Sequence, residues 1–125
     1  MRLWLSLAAL GGLACVAFGA FAAHGIADPQ GRDWLRTGAT YGAIHCLAVF
    51  AAALVRQMGG AGARFAAPLF LVGVVLFAGS LWALALGAPR WLGAVTPIGG
   101  LLFMNGWGVL AWAAWRLDSP PRAQR

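Results

Sequence analysis

The sequence predicts an all-α integral membrane protein built as a four-helix bundle, and three observations carry this prediction. The chain is 62% hydrophobic and 10% charged, whereas about a quarter of the residues of a soluble domain are charged. Four apolar runs are each close to the roughly 20 residues that a helix needs to cross a bilayer. Because lipid offers the backbone no hydrogen-bond partners, runs of this length must be helical.

The apolar runs define one domain of four transmembrane helices over residues 1–116. The predicted spans are 3–23, 38–55, 65–86 and 92–115. Alanine and leucine dominate them, without the alternation that is typical of a strand. The chain ends in DSPPRAQR, whose prolines cannot continue a helix, so residues 117–125 are predicted to be a disordered cytoplasmic tail.

The first run also resembles a signal peptide. A basic start, an apolar middle and small residues follow one another in MRLWLSLAALGGLACVAFGAFAA. Its apolar stretch, however, is longer than the roughly 7–15 residues of a typical signal core. We therefore expect this run to be retained as the first helix.

The loop after the first run contains the start of a helix. Asp28 followed by Pro29 is typical of an N-cap and a first helical residue, which predicts an interfacial helix over residues 29–37. Trp34 would rest in the membrane interface. Glycines weaken this segment, and a bend is expected near Gly38.

The arginines lie between the apolar runs, and their distribution predicts the orientation. The side that holds both termini carries Arg2, Arg56, Arg64, Arg116, Arg122 and Arg125, and the other side carries Arg32, Arg36 and Arg90. The excess predicts a multi-pass protein of the cell membrane with both termini in the cytoplasm. Since the arginines form no stripe, nucleic acid is not expected as a partner.

Polar side chains within the spans collect in the predicted outer half of the bilayer. At a rise of about 1.5 Å per residue, His45 and Ser80 both lie roughly 10 Å below the outer boundary. The candidate polar cluster, drawn from all four helices, consists of His24, Tyr41, His45, Ser80 and Thr96. Asn105 stands apart from this cluster, near mid-depth.

Two interpretations of His45 stay open. An ionisable side chain within a membrane suggests a function, and histidine titrates near neutral pH, which suits proton handling or ligand binding. Alternatively, His45 donates a hydrogen bond to Ser80 or to a backbone carbonyl and fixes the register of the helices. His24 is either a simple interfacial residue or a lid over the cluster.

No metal or cofactor is predicted. Two imidazoles without a nearby carboxylate or thiolate do not fill a tetrahedral metal site, and His24 is too shallow to share a haem with His45. Cys15 and Cys46 lie inside apolar runs and have no CxxC spacing. They are expected to be small buried hydrophobic residues.

Thr96 and Pro97 are expected to begin the fourth helix at the outer surface. The segment TPIGG that opens this helix predicts a distorted first turn at Pro97, Gly99 and Gly100. This turn serves either as a hinge or for tight packing, since small residues let helices approach closely in lipid. Asn105 and Trp107 are assigned to packing positions of the same helix.

Four segments carry a resemblance to a known family. They are GAFAAHG, YGAIHCLAVF, LFAGSLWALAL and WLGAVTPIGGLLFMNGWGVL, and the match runs from about Gly11 to Trp115. In this order they resemble the domain of unknown function 423 family, which includes the transmembrane protein 256-like proteins. The resemblance implies a small four-helix membrane protein with no established activity. The matched positions at which to look for an activity are His24, Tyr41, His45, Ser80, Thr96, Pro97, Gly99, Gly100 and Trp107.

Two functions are compatible with these features. The first is a structural or accessory component that packs in the lipid bilayer with itself, as a homo-oligomer, or with a larger membrane complex. The alternative is a small transporter or ligand-binding protein that uses the outward polar cluster around His45. An enzyme is not expected, because the spans contain no carboxylate to orient a histidine.

Overall fold

The computed structural model describes residues 1–118, which are helical along most of their length. The four long helices are α1 (Arg2–His24), α2 (Pro29–Gln57), α3 (Ala66–Ala85) and α4 (Thr96–Trp115). All four lie in stretches that are long and apolar enough to cross a membrane, which confirms the predicted all-α membrane fold. Most of the predicted disordered tail, residues 119–125, lies outside the described range.

Short 3₁₀ turns connect the long helices. One covers Ala61–Phe65 before α3, a second covers Arg90–Ala94 before α4, and a third, Arg116–Asp118, follows α4. With four spans, the start of α1, the α2–α3 connection and the end of α4 share one end of the molecule, which we call the terminal end. The α1–α2 and α3–α4 connections share the other, the loop end.

The four helices do not close into a ring. Extensive contacts join α1 to α2, α2 to α3 and α3 to α4, whereas in the described residues no Cα atom of α1 lies within 8 Å of one in α4. Helices α2 and α3 are therefore central, and half of the residues in the most apolar 18-residue stretch of each span are buried. In the corresponding stretches of α1 and α4 fewer than a quarter of the residues are buried, so these two helices present most of their surface to lipid.

The start of α2 has the predicted cap. The Asp28 carboxylate accepts a hydrogen bond from the Gly31 amide at 2.9 Å, and Pro29 occupies the first turn. The helix then continues without interruption from Pro29 to Gln57, so the segment predicted to be interfacial runs directly into the span. Gly38 is buried there because the Trp82 side chain of α3 occupies the space beside it.

Glycines with positive φ end both central helices in the same way. Gly59 after α2 has φ +108° and Gly87 after α3 has φ +98°, a region that glycine enters without steric cost. The following amides then bond back to the helix, Gly60 to the Val55 carbonyl and Ala88 to the Ala83 carbonyl, each at 2.9 Å. This motif satisfies carbonyls that lipid could not.

The α3–α4 contact is built from glycines that face aromatic rings. A methyl group added to Gly73 of α3 would lie 2.6 Å from the Phe103 ring, and one added to Gly106 of α4 would lie 2.6 Å from the Phe70 ring. At Gly99 the added group would meet backbone, 2.5 Å from the Phe77 amide nitrogen. These glycines allow the close approach that helix packing in lipid depends on.

The α1–α2 contact repeats this reciprocal pattern with thiols. A methyl group on Gly11 of α1 would lie 2.7 Å from the Cys46 sulfur, and one on Gly42 of α2 would lie 2.7 Å from the Cys15 sulfur. Both cysteines are free and buried. The expectation that they are small buried hydrophobic residues is confirmed.

Replacing Gly99 with alanine should destabilise the protein, because its new methyl group would overlap the α3 backbone. Overpacking of this kind typically costs about 1–3 kcal/mol, and denaturation by SDS in mixed micelles measures it. Gly100→Ala is the matched control, since an added methyl there meets nothing within 4 Å. Equal stability of the two variants would contradict the close α3–α4 contact.

Candidate functional site

The five residues of the candidate polar cluster lie in three separate places. His45 and Tyr41 belong to α2, Ser80 and Thr96 join α3 to α4, and His24 is exposed as the last residue of α1. Among the hydrogen bonds of the described chain, none links His45 to Ser80. The structure therefore contains two small polar contacts rather than one shared cluster.

Both ring nitrogens of His45 are occupied. Nδ1 lies 2.6 Å from the Tyr41 carbonyl oxygen, one turn earlier on α2. Nε2 lies 3.0 Å from the indole nitrogen of Trp107 on α4. An indole N–H can only donate, so Nε2 accepts and Nδ1 carries the proton that is donated to Tyr41. These two bonds select one tautomer of a neutral imidazole.

Aromatic rings enclose the His45 imidazole. The Phe103 ring of α4 lies parallel to it, with centroids 3.5 Å apart and an interplanar angle of 5°. Phe70 of α3 and Trp107 of α4 lie at centroid distances of 5.7 and 6.0 Å. His45 is 5% exposed. Because the rings around it belong to α3 and α4, this one side chain of α2 contacts both of the following helices.

Ser80 and Thr96 form the second polar contact. The Ser80 hydroxyl donates to the Phe77 carbonyl at 3.0 Å, and the two side-chain oxygens lie 2.6 Å apart. Because the Ser80 proton is engaged by Phe77, the Thr96 hydroxyl donates to Ser80. Each hydroxyl thus has a partner inside the protein.

Thr96 lies deeper than the sequence predicts. The pattern of apolar residues suggests that Thr96 is at the outer surface, but its partner Ser80 lies five residues before the end of α3, about 7 Å along the helix. The difference arises because the 3₁₀ turn Arg90–Ala94 precedes α4. Thr96 does begin the fourth helix, and Pro97 is in its first turn, as expected.

The remaining polar residue of α4 points away from the bundle. Asn105 is exposed, and its amide nitrogen donates to the Leu101 carbonyl at 2.9 Å. No other side-chain hydrogen bond of residues 1–118 involves Asn105. Among the other residues of α4 that were predicted to serve packing, Gly99 packs against α3, whereas Gly100 has open space beside it.

A crevice at the loop end has a volume of about 490 Å³. It lies between α2, α3 and the start of α4. We call it the Arg90 crevice, and its lining residues include Gln30, Trp34, Phe77, Leu84, Arg90 and Thr96. His45 does not line it. Of the residues that the sequence singled out for the polar cluster, only Thr96 does.

Gln30 and Arg90 are not among the sequence-based candidates. Gln30 is the second residue of α2, and Arg90 begins the 3₁₀ turn before α4. A polar residue at either position needs no special explanation. The available sequence signal is the spacing of Gln30 and Trp34, four residues apart and therefore on one face of a helix. Within the described residues, no group of three His, Cys, Asp or Glu side chains could hold a metal ion.

Comparison with known proteins places this architecture in a family. The family model described as "Protein of unknown function (DUF423)" matches residues 18–100. No solved structure matches the chain. The matched segment includes His45, Ser80 and Thr96.

Curated relatives match over nearly their whole length. A UPF0382 membrane protein of Haemophilus influenzae is 42% identical over 119 residues, which are 93% of this chain and 96% of the relative. The UPF0382 inner membrane protein YgdD of Escherichia coli K12 is 39% identical over 120 residues, 93% and 92% of the two chains. A UPF0382 membrane protein of Staphylococcus epidermidis is 38% identical over 116 residues, 90% and 95%.

The relatives are named as membrane proteins, in agreement with four apolar helices and polar groups that are paired inside the bundle. The chain belongs to the DUF423 family of small integral membrane proteins, whose function is not established.

Proposed function

We propose that this protein is a non-enzymatic membrane component that associates with a second copy of itself through the exposed face of α4. The observation that carries this proposal is the Asn105 amide. Asn105 is the tenth of the twenty residues of α4, roughly 14 Å from either end. An amide at this depth faces hydrocarbon, which offers its remaining donor and acceptor no partner.

The surroundings of Asn105 suit a close helix–helix contact. Three residues share the face of α4 on which Asn105 lies. Leu101 is four residues before Asn105, Gly108 is three residues after it and Trp112 is seven residues after it. Leu101 is 58% and Trp112 is 54% exposed. A methyl group added to Gly108 would meet nothing within 4 Å, so a neighbouring helix can approach there.

A second copy satisfies the chemistry of this face. In a two-fold dimer the same patch meets itself, and a carboxamide is self-complementary because it both donates and accepts. Asn105 near the axis would give its free N–H to the other copy's carbonyl oxygen and accept in return. Hydrogen bonds between membrane helices contribute about 0.6 kcal/mol on average and up to about 1.7 kcal/mol.

His45 fits a structural role in the same proposal. Both ring nitrogens have partners, and the ring lies between aromatic side chains of α3 and α4. A proton or ligand role would require His45 to give up Trp107 or the Tyr41 carbonyl. We therefore infer that His45 fixes the register of the three helices.

The proposed orientation places the terminal end in the cytoplasm. Among the described residues this end carries Arg2, Arg56, Arg64 and Arg116, and the loop end carries Arg32, Arg36 and Arg90. Arg122 and Arg125 add to the terminal end in the sequence. Orientation follows the arginine count in short loops, and acidic residues contribute little.

The contact between His45 and Trp107 should appear as an energetic coupling. We expect His45→Phe and Trp107→Phe, measured singly and together by SDS denaturation, to be non-additive by about 0.5–1.5 kcal/mol, because either change removes the same hydrogen bond. Trp115, which is 83% exposed, provides the control cycle. If the Trp107 cycle is as additive as the Trp115 cycle, His45 does not tie α2 to α4.

Self-association should depend on the Asn105 face. Energy transfer between labelled chains in liposomes is expected to reveal a dimer that Asn105→Leu weakens about threefold or more. Gly108→Leu should weaken it further by blocking approach. Gly12→Leu on α1, where an added methyl also meets nothing within 4 Å, is the control. A monomeric wild-type protein, or a dimer that both α4 changes leave intact, would contradict the proposal.

The orientation is tested with reporter fusions. Green fluorescent protein fused after Arg125 should fluoresce, since it folds in the bacterial cytoplasm and not after export through the general secretory pathway. Alkaline phosphatase, inserted between Gly87 and Ala88 at the loop end, should be active because it requires export. The reverse pattern of the two reporters would show the opposite orientation.

A further inference from the structure

We infer that the Arg90 crevice binds one anionic phospholipid of the leaflet at the loop end. Its volume of about 490 Å³ lies within the roughly 300–1,000 Å³ of typical ligand pockets. The crevice is open rather than enclosed and runs beside membrane-spanning helices, so lipid has direct access to it. This inference is independent of self-association through α4.

The deep part of the crevice suits a hydrocarbon chain. Phe77, Leu81 and Leu84 line it at spacings of four and three residues, and so form one stripe along α3. Phe77 lies eight residues before Ala85, the last residue of α3, so the stripe reaches about 12 Å into the span. This is the direction in which a lipid acyl chain extends.

The polar side chains at this depth need no hydrogen bond from a ligand. Thr96 lines the crevice, but its hydroxyl donates to Ser80, and the Ser80 hydroxyl donates to the Phe77 carbonyl. Since both protons are used inside the protein, the deep wall presents no donor that needs a ligand. An apolar chain can therefore lie there without leaving a buried group unsatisfied.

The mouth of the crevice suits an anionic headgroup. Arg90 and Gln30 line the crevice and lie next to the loop-end termini of α4 and α2, which places them at its polar rim. A guanidinium presents a fork of N–H donors that matches phosphate. None of the side-chain hydrogen bonds of residues 1–118 uses Arg90. Trp34 lines the same rim and places an amphipathic ring where headgroups meet acyl chains.

Polarity thus changes along the crevice in the order in which it changes along a phospholipid. A free phosphate would use the rim and leave the apolar stripe uncovered. A lipid without phosphate would leave Arg90 without a counter-charge, and a zwitterionic headgroup would bring a second cation close to Arg90. An anionic phospholipid uses both parts. The charge and the apolar depth together favour this occupant over either alternative.

Lipid retention measures the inference directly. The full-length protein is extracted from vesicles of equal phosphatidylglycerol and phosphatidylcholine into mild detergent, and native mass spectrometry counts the lipids that remain. We expect one phosphatidylglycerol per chain. Arg90→Gln should reduce the preference for phosphatidylglycerol about fivefold, the effect of one surface charge, while a lipid is still retained. Arg64→Gln, at the terminal end, is the charge control.

A second variant blocks the cavity. Gly93 also lines the crevice, and a methyl group added to it has its nearest neighbour, a Leu84 methyl, at 3.9 Å. Gly93→Leu should therefore fill the crevice without strain and abolish retention. Gly79→Leu, on the far side of α3 with nothing within 4 Å, should retain the lipid. Competition by inorganic phosphate would instead indicate a simple anion site. No retained lipid, no preference between the two lipids, or equal loss in both glycine variants would overturn the inference.

Discussion

Hydrocarbon satisfies no hydrogen bond, and this constraint governs the whole molecule. It makes the backbone helical, and it requires every polar side chain within the spans to find a partner in protein. The glycine-terminated ends of α2 and α3 return amides to helical carbonyls. His45 and Thr96 meet the same requirement by pairing with neighbouring helices. The role of each polar residue in the spans therefore depends on which group accepts its hydrogen bond.

The same solvent removes the force that normally packs helices together. Since lipid is as apolar as the side chains, close contact between surfaces must hold the helices. At the α3–α4 seam, Phe70 and Phe103 each fill the space left by a glycine of the other helix. Phe103 also stacks on His45. Phe103 therefore links the packing of α3 on α4 to the position of the His45 ring, and a shift of one is expected to shift the other.

The sequence predicted the number of spans, the helix cap at Asp28 and the start of α4 at Thr96, because length, apolar composition and local cap chemistry determine these features. It did not predict that Trp107 would meet His45, 62 residues away. Helices that are apolar on every side carry no signal for rotation about their axes. Hydropathy therefore indicates how deep a residue lies but not which neighbour it faces. The Arg90 crevice was not predicted from the sequence for the same reason.

The missing contact between the first and last helices has a consequence for biosynthesis. Every extensive interface joins helices that are adjacent in the chain, so each new helix can dock on its predecessor as it leaves the ribosome and enters the bilayer. The last helix never has to displace lipid from the first. This connectivity allows folding in the order of translation, because each extensive interface requires only the short connection between consecutive helices to close.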